Sequence, residues 1–139
     1  MLVESELRYR LRQSSRVVGY MRIINGKTRF YSRDTFWWSG NPIEHDITDE
    51  ATAYRDKNSK VIYEWDILRY KVDPDDDYEQ GVVLWNERQK CMGILSIKNR
   101  IFYPFEMKGV DFFNPQQLEV FSYLFINPEL QAELGLADD

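Results

Sequence analysis

The chain of 139 residues has one cysteine, one histidine, seven glycines and five prolines, and each scarcity closes off a kind of chemistry. A single thiol, Cys91, excludes an internal disulfide; beside Met92 in an apolar run it reads as a small core residue. A single imidazole, His45, leaves no His/Cys cluster with metal-ligand spacing. The aspartates 73, 75 and 77 open like a calcium loop, but position six is Tyr78 instead of glycine and position twelve is Leu84 instead of glutamate. That run reads as a solvated acidic loop. The glycines form no phosphate-cradling loop, and no nucleophile is spaced to His45 in Glu44-His45-Asp46, which reads as a loop histidine. No apolar run reaches the roughly 18 residues of a membrane span, and no basic-then-apolar leader opens the chain. The expectation is a non-catalytic protein of a reducing cytoplasm, with no metal, cofactor or membrane segment.

What the chain does have is aromatic mass and a divided charge. Phe, Tyr and Trp make up 15% of the residues, so rings will do much of the packing. The net charge of −5 hides an asymmetry: residues 1–40 hold eight Arg or Lys against three acids, and residues 41–139 hold ten against twenty. Either the basic segment pairs with the acidic remainder, within the chain or between subunits, or an acidic partner meets it.

The basic segment begins with Leu7-Arg8-Tyr9-Arg10-Leu11-Arg12, a strict alternation that predicts a strand with one apolar and one guanidinium face. Same-face arginines stand ~6.6 Å apart along such a strand, close to the repeat of an extended single-stranded nucleic acid. The plainer reading is an edge strand with solvated charges that block aggregation. Asn25-Gly26 between two alternating runs predicts a two-residue hairpin that sets Ile24 opposite Lys27 and Arg22 opposite Arg29. Two facing arginines need an acid or an anion between them, and a carboxylate of the acidic remainder is the nearest supplier. Trp37-Trp38, before the Ser39-Gly40-Asn41-Pro42 break, can stack a partner's groups or pack at a seam.

The stretch Ala53 to Tyr70 reads as strand, tight turn, strand, sharp corner, strand. In the turn Asp56-Lys57-Asn58-Ser59 the Asp carboxylate accepts amides further on. At Glu64-Trp65-Asp66 the Asp66 carboxylate can hold a strand-to-strand corner by the same means. These residues, with Tyr54, Ile62, Tyr63 and Ile67, resemble the pattern D-K-N-G-K-x-I-Y-E-G-D-I-V of the YopX-like family of phage and prophage proteins. Gly81-Val82-Val83 with Trp85, and Val120 leading to Asn127-Pro128-Glu129-Leu130, are similar to its later pieces in the same order. Two family glycines are replaced, by Ser59 and Trp65. Either Asn58 becomes left-handed or Ser59 does so at roughly 1 kcal/mol. At Trp65 either the corner opens or the ring covers one end of the sheet.

Three further short strands follow, at 81–85, 91–95 and 101–103. Asn114-Pro115 and Asn127-Pro128 are helix starts with an Asn cap, and Pro128 to Leu134 predicts a short helix closed by Gly135. Val120 to Ile126 is nearly all apolar and predicts a central strand.

The fold expectation is mainly β: a basic N-terminal β-hairpin extension over 1–50, then over 51–139 a small barrel with a short C-terminal helix, SH3-like as the resemblance implies. The functional expectation is an interaction module that assembles with itself or with another phage or host protein in the bacterial cytoplasm. The alternative is an accessory nucleic-acid-binding protein using Arg8, Arg10, Arg12, Arg22 and Arg29, against which the acidic pI of about 5.0 weighs.

Overall fold

The computed structural model describes residues 6–33, 38–39 and 41–136. They are mainly β, with antiparallel pairing throughout, and they divide into two compact units, residues 1–51 and 52–139.

The first unit is built from β1 (Glu6–Gln13), β2 (Arg16–Ile24), β3 (Lys27–Tyr31), β4 (Trp38–Ser39) and the first half of β5 (Ile47–Arg55), in the order β4-β3-β2-β1-β5. Asn25 and Gly26 both take positive φ, 50° and 82°, the twist a two-residue hairpin needs. The turn fixes the register, so Ile24 faces Lys27 and Arg22 faces Arg29. The arginine-rich β1 is not an edge strand: it lies between β2 and β5 and pairs with both.

The second unit contains the rest of β5, β6 (Val61–Tyr63) paired to it, and a five-stranded sheet. The sheet's strands are β7 (Asp66–Tyr70), β8 (Glu79–Asn86), β9 (Cys91–Ser96), β10 (Phe102–Pro104) and β13 (Leu118–Tyr123), in the order β10-β9-β8-β7-β13. The sheet is open, with β10 and β13 at its edges. A small hairpin of β11 (Glu106–Met107) and β12 (Val110–Asp111) turns through Lys108 and Gly109, both at positive φ.

Alternation along β7 and β8 gives this sheet two covered faces. Leu68, Tyr70 and Val83 pack with Ile62, Ile94, Phe105, Phe113 and Leu118 on one side. Ile67 and Val82 pack with Leu124 on the other, under Trp65 and the leucines of α1 (Pro128–Glu133) and its end. Rings dominate the first core: Tyr54 stacks on Phe105 at 5.0 Å, and Phe113 meets Tyr70, Phe105 and Phe112 edge-on. The helix closes as its glycine predicts. Gly135, at φ 69°, and Leu136 donate to the carbonyls of Ala132 and Gln131, which stops the helix while Leu136 turns back onto the core.

Two expectations are corrected here. Val120 to Ile126 is not a central strand: β13 is an edge, it bulges between Val120 and Ser122, and Phe121 and Ile126 stay exposed. The outer rim of β13 is covered instead by a turn, because Lys57 N donates to Leu118 O and Val120 N donates to Asp56. Asn114 caps its turn, accepting from Gln116 N while the side chain of Gln117 accepts from Asn114 N. Asn127 does not cap: its Nδ2 donates backwards to Tyr123 O and Ser122 Oγ, and Pro128 alone begins the helix.

Candidate binding surfaces

The alternating arginines of β1 meet different fates along one face. Arg10 lies directly across from Asp49 on β5, and Arg12 lies one step on. Asp49 Oδ2 accepts from the Nε of both, at 2.8 Å each, and Asp49 Oδ1 accepts from Arg12 Nη2 at 2.8 Å. Arg12 also donates to Ser14 O, bracing the β1–β2 turn. All three side chains are buried, with 1%, 0% and 0% of Arg10, Arg12 and Asp49 exposed, so neither guanidinium is presented to a phosphate. The solvated-edge reading fails for them too. Two charges so enclosed are tolerable only because their hydrogen-bonding fork is matched by a carboxylate.

Further out the same face carries Arg8, Arg22 and Arg29 in a row across β1, β2 and β3. Between Arg8 and Arg22, which also face each other, the acid is not drawn from the acidic remainder of the chain. It is Glu6 of β1 itself, whose Oε1 accepts from Arg8 Nε at 3.0 Å and from Arg22 Nε. The bond from Arg22, followed by the nearby Arg8 charge, holds the Glu6 carboxyl below its ordinary range, and Glu6 raises Arg22 in return. Arg22 also lies over the Tyr31 ring. Arg29 is exposed on β3.

The central stretch is held by two buried carboxylates. Asp56 Oδ1 accepts from Asn58 N and Lys60 N, and Oδ2 from Val120 N, each at 2.9 Å. Ser59 takes the left-handed conformation, φ 63°, so it and not Asn58 bears the cost. At the corner Tyr63 N donates to Asp66 Oδ2 at 2.9 Å. Trp65 stands at φ 74° and the corner does not open: its amide donates to Val83 O and its carbonyl accepts from Leu124 N. Its ring covers the core beneath α1. Glu64, beside it, is half-buried. These residues, with Asn127 and Pro128, shape the second unit.

Other single side chains stay apart. His45 Nδ1 lies 2.7 Å from Ile43 O, a contact that fixes a loop whose Asp46 carboxylate receives Ser14 N. Cys91 is half-buried at the start of β9, not a core residue as expected. Asp73 accepts the amide of Asp75 within an exposed loop, and among the described residues no three metal-ligating side chains converge. Trp37 lies outside the described residues, and of Trp38 only the backbone, in β4, is described. Tyr54 OH donates to Asp111 and approaches Glu106; burial first, then these carboxylates, push its pKa up.

One surface had no counterpart in the sequence reading. Lys71 Nζ stands 4.4 Å and Lys57 Nζ 5.3 Å from the centre of the Tyr78 ring. Lys57 also pairs with Glu119 at 3.3 Å, Glu119 with Arg69 at 3.6 Å, and Arg69 covers the Phe121 ring at 4.8 Å. The Glu119 bond raises the Lys57 ammonium's pKa. Only Arg69-Tyr70-Lys71, running off the end of β7, could have hinted at this row; its other members come from a turn, a loop and an edge strand.

Comparison with protein families, with curated proteins and with solved structures returns no match for this chain. No helix among the described residues is long and apolar enough to cross a membrane.

Proposed function

We propose that this protein is a non-catalytic interaction module that works by binding another chain, with a second copy of itself as the first partner. The observation that carries the reading is where polar chemistry ends and apolar surface begins. Arg10, Arg12, Asp49, Asp56 and Asp66 are buried in structural hydrogen bonds, while Trp85, Met107, Val110, Phe121 and Ile126 of the second unit stand exposed, Val110 to 68%. Side chains of that size left in water are what association covers.

A YopX-like relation is part of the reading, and with it a phage or prophage origin and a bacterial cytoplasm as the place of work. Ser59 and Trp65 support it: both keep positive φ at the two places where the family pattern has glycine. The SH3-like arrangement belongs to the same proposal. It is supported by the way β5, β6 and the five-stranded sheet of residues 52–139 share one core, although that sheet is open at β10 and β13. The nucleic-acid alternative through β1 loses its footing, because Arg10 and Arg12 are enclosed on Asp49.

Co-expression of two differently tagged copies tests the reading. Recovery of one tag with the other at low salt is expected. Complete separation of the tags, with no other macromolecule retained, contradicts it.

A further inference from the structure

We infer that the cationic row Lys57, Arg69 and Lys71 is one half of a two-fold interface, and that its occupant is the Asp73–Asp77 loop of a second copy of this chain. This rests on the self-association proposed above and names its surface.

The row is an ordered structure. Each cation is held over an aromatic ring, Lys57 and Lys71 at Tyr78 and Arg69 at Phe121. Within the row Glu119 is the one carboxylate, paired with Lys57 and Arg69, against three positive charges. It therefore presents excess positive charge on a segment, residues 41–139, where acids outnumber bases two to one. The complementary feature lies next to it. Asp73, Asp75, Asp76 and Asp77 are all exposed, and among the described residues none of them forms an ion pair.

Their adjacency decides the geometry. The loop is bounded in sequence by Lys71 and Tyr78, both members of the row, so one patch carries both signs side by side. A surface of that kind is complementary to itself about a two-fold axis: each loop lies over the other copy's row, and both contacts form at once. Exposed Val72, Tyr78 and Phe121 supply apolar area at the same place. A nucleic acid fits less well. Ammonium groups already lie at the Tyr78 ring, and four aspartates beside the row repel a phosphate backbone. Association through such exposed charges is weak and falls with salt.

The test is a charge swap in the full chain, read by sedimentation velocity at low and high salt. One variant carries Arg69→Glu with Lys71→Glu, the other Asp75→Lys with Asp76→Lys, and thermal unfolding verifies that each is folded. Each variant alone is expected to dimerise about tenfold or more weakly than the parent, because like charges now face each other. An equimolar mixture is expected to form a one-to-one heterodimer, since both contacts are restored. Should either variant misfold, Lys71→Gln and Asp76→Asn replace the reversals, each weakening the dimer on its own. Dimers of parental strength in both variants overturn the inference and leave self-association standing through another surface. A mixture that fails to pair also overturns it. A parent that is monomeric at low salt removes both this inference and self-association. Salt-dependent binding of a single-stranded oligonucleotide, lost on reversing the row, assigns the surface to nucleic acid instead.

Discussion

The carboxylate of Asp56 accepts the amide of Val120, 64 residues further along the chain, at 2.9 Å. Through that bond a tight turn between two strands also seals the rim of an edge strand. Three amides converge on one buried side chain there, two from the turn and one from β13.

Asp56→Ala leaves those donors without their acceptor and is expected to destabilise residues 52–136 by about 3 kcal/mol, at roughly 1 kcal/mol or more per unsatisfied group. Asp56→Asn, which keeps a carbonyl oxygen, loses less. Urea unfolding measures the difference, and hydrogen exchange at Val120 should accelerate in both. An unchanged midpoint for Asp56→Ala contradicts this role.

Ser59 and Trp65 share a positive φ but not a fate on mutation to glycine. Ser59 is exposed and packs against nothing that glycine would lose, so Ser59→Gly is expected to stabilise by about 0.5–1 kcal/mol. Trp65→Gly relieves a similar strain but strips the cover from Ile67, Val82 and Leu124, a loss of about 3 kcal/mol or more. Opposite signs in thermal unfolding are the expected result. Stabilisation by both would mean that the Trp65 ring holds nothing down.

Removing Asp49 leaves two enclosed guanidinium groups without their shared carboxylate. Asp49→Ala is expected to cost the first unit about 3–5 kcal/mol, and replacing Arg10 and Arg12 by Met in the same chain to recover much of that. Hydrogen exchange separates the units: residues 6–51 should lose protection while 52–136 keep it. Loss of protection spread evenly over both contradicts a local role.

Glu6 gives the first unit a pH dependence whose sign follows from its lowered pKa. A carboxylate depressed by its arginines contributes stability that is fully present above the unfolded value, near 4.5, and is lost as pH falls through the lower folded value. Thermal stability of residues 6–51 should therefore be unaffected by this group down to about pH 4.5 and weaken as the pH falls below that. Glu6→Gln should flatten that part of the profile. An unaltered profile in the variant contradicts the assignment.

Local features of this fold were legible wherever the chemistry that sets them is near in sequence. Asn25-Gly26 dictates its hairpin and through it the Arg22–Arg29 register, and the Asp56 turn follows from a side chain reaching amides two and four residues on. Distant partners were not legible. The β1 alternation separates the two faces correctly but does not say that Asp49, 37 and 39 residues away, encloses two of its arginines. The apolar run after Val120 likewise does not reveal that a turn, and not another strand, lies at its outer rim. The row at Tyr78 was not legible because its members come from separate stretches of the chain.

Sedimentation velocity of the full chain at low salt, over a concentration series, tests most directly whether this molecule works by association. The expected result is a mass that rises with concentration from the 16.7 kDa of one chain towards twice that value, and that falls back when salt is added. A mass of one chain at every concentration and salt, with no macromolecule bound, would contradict it.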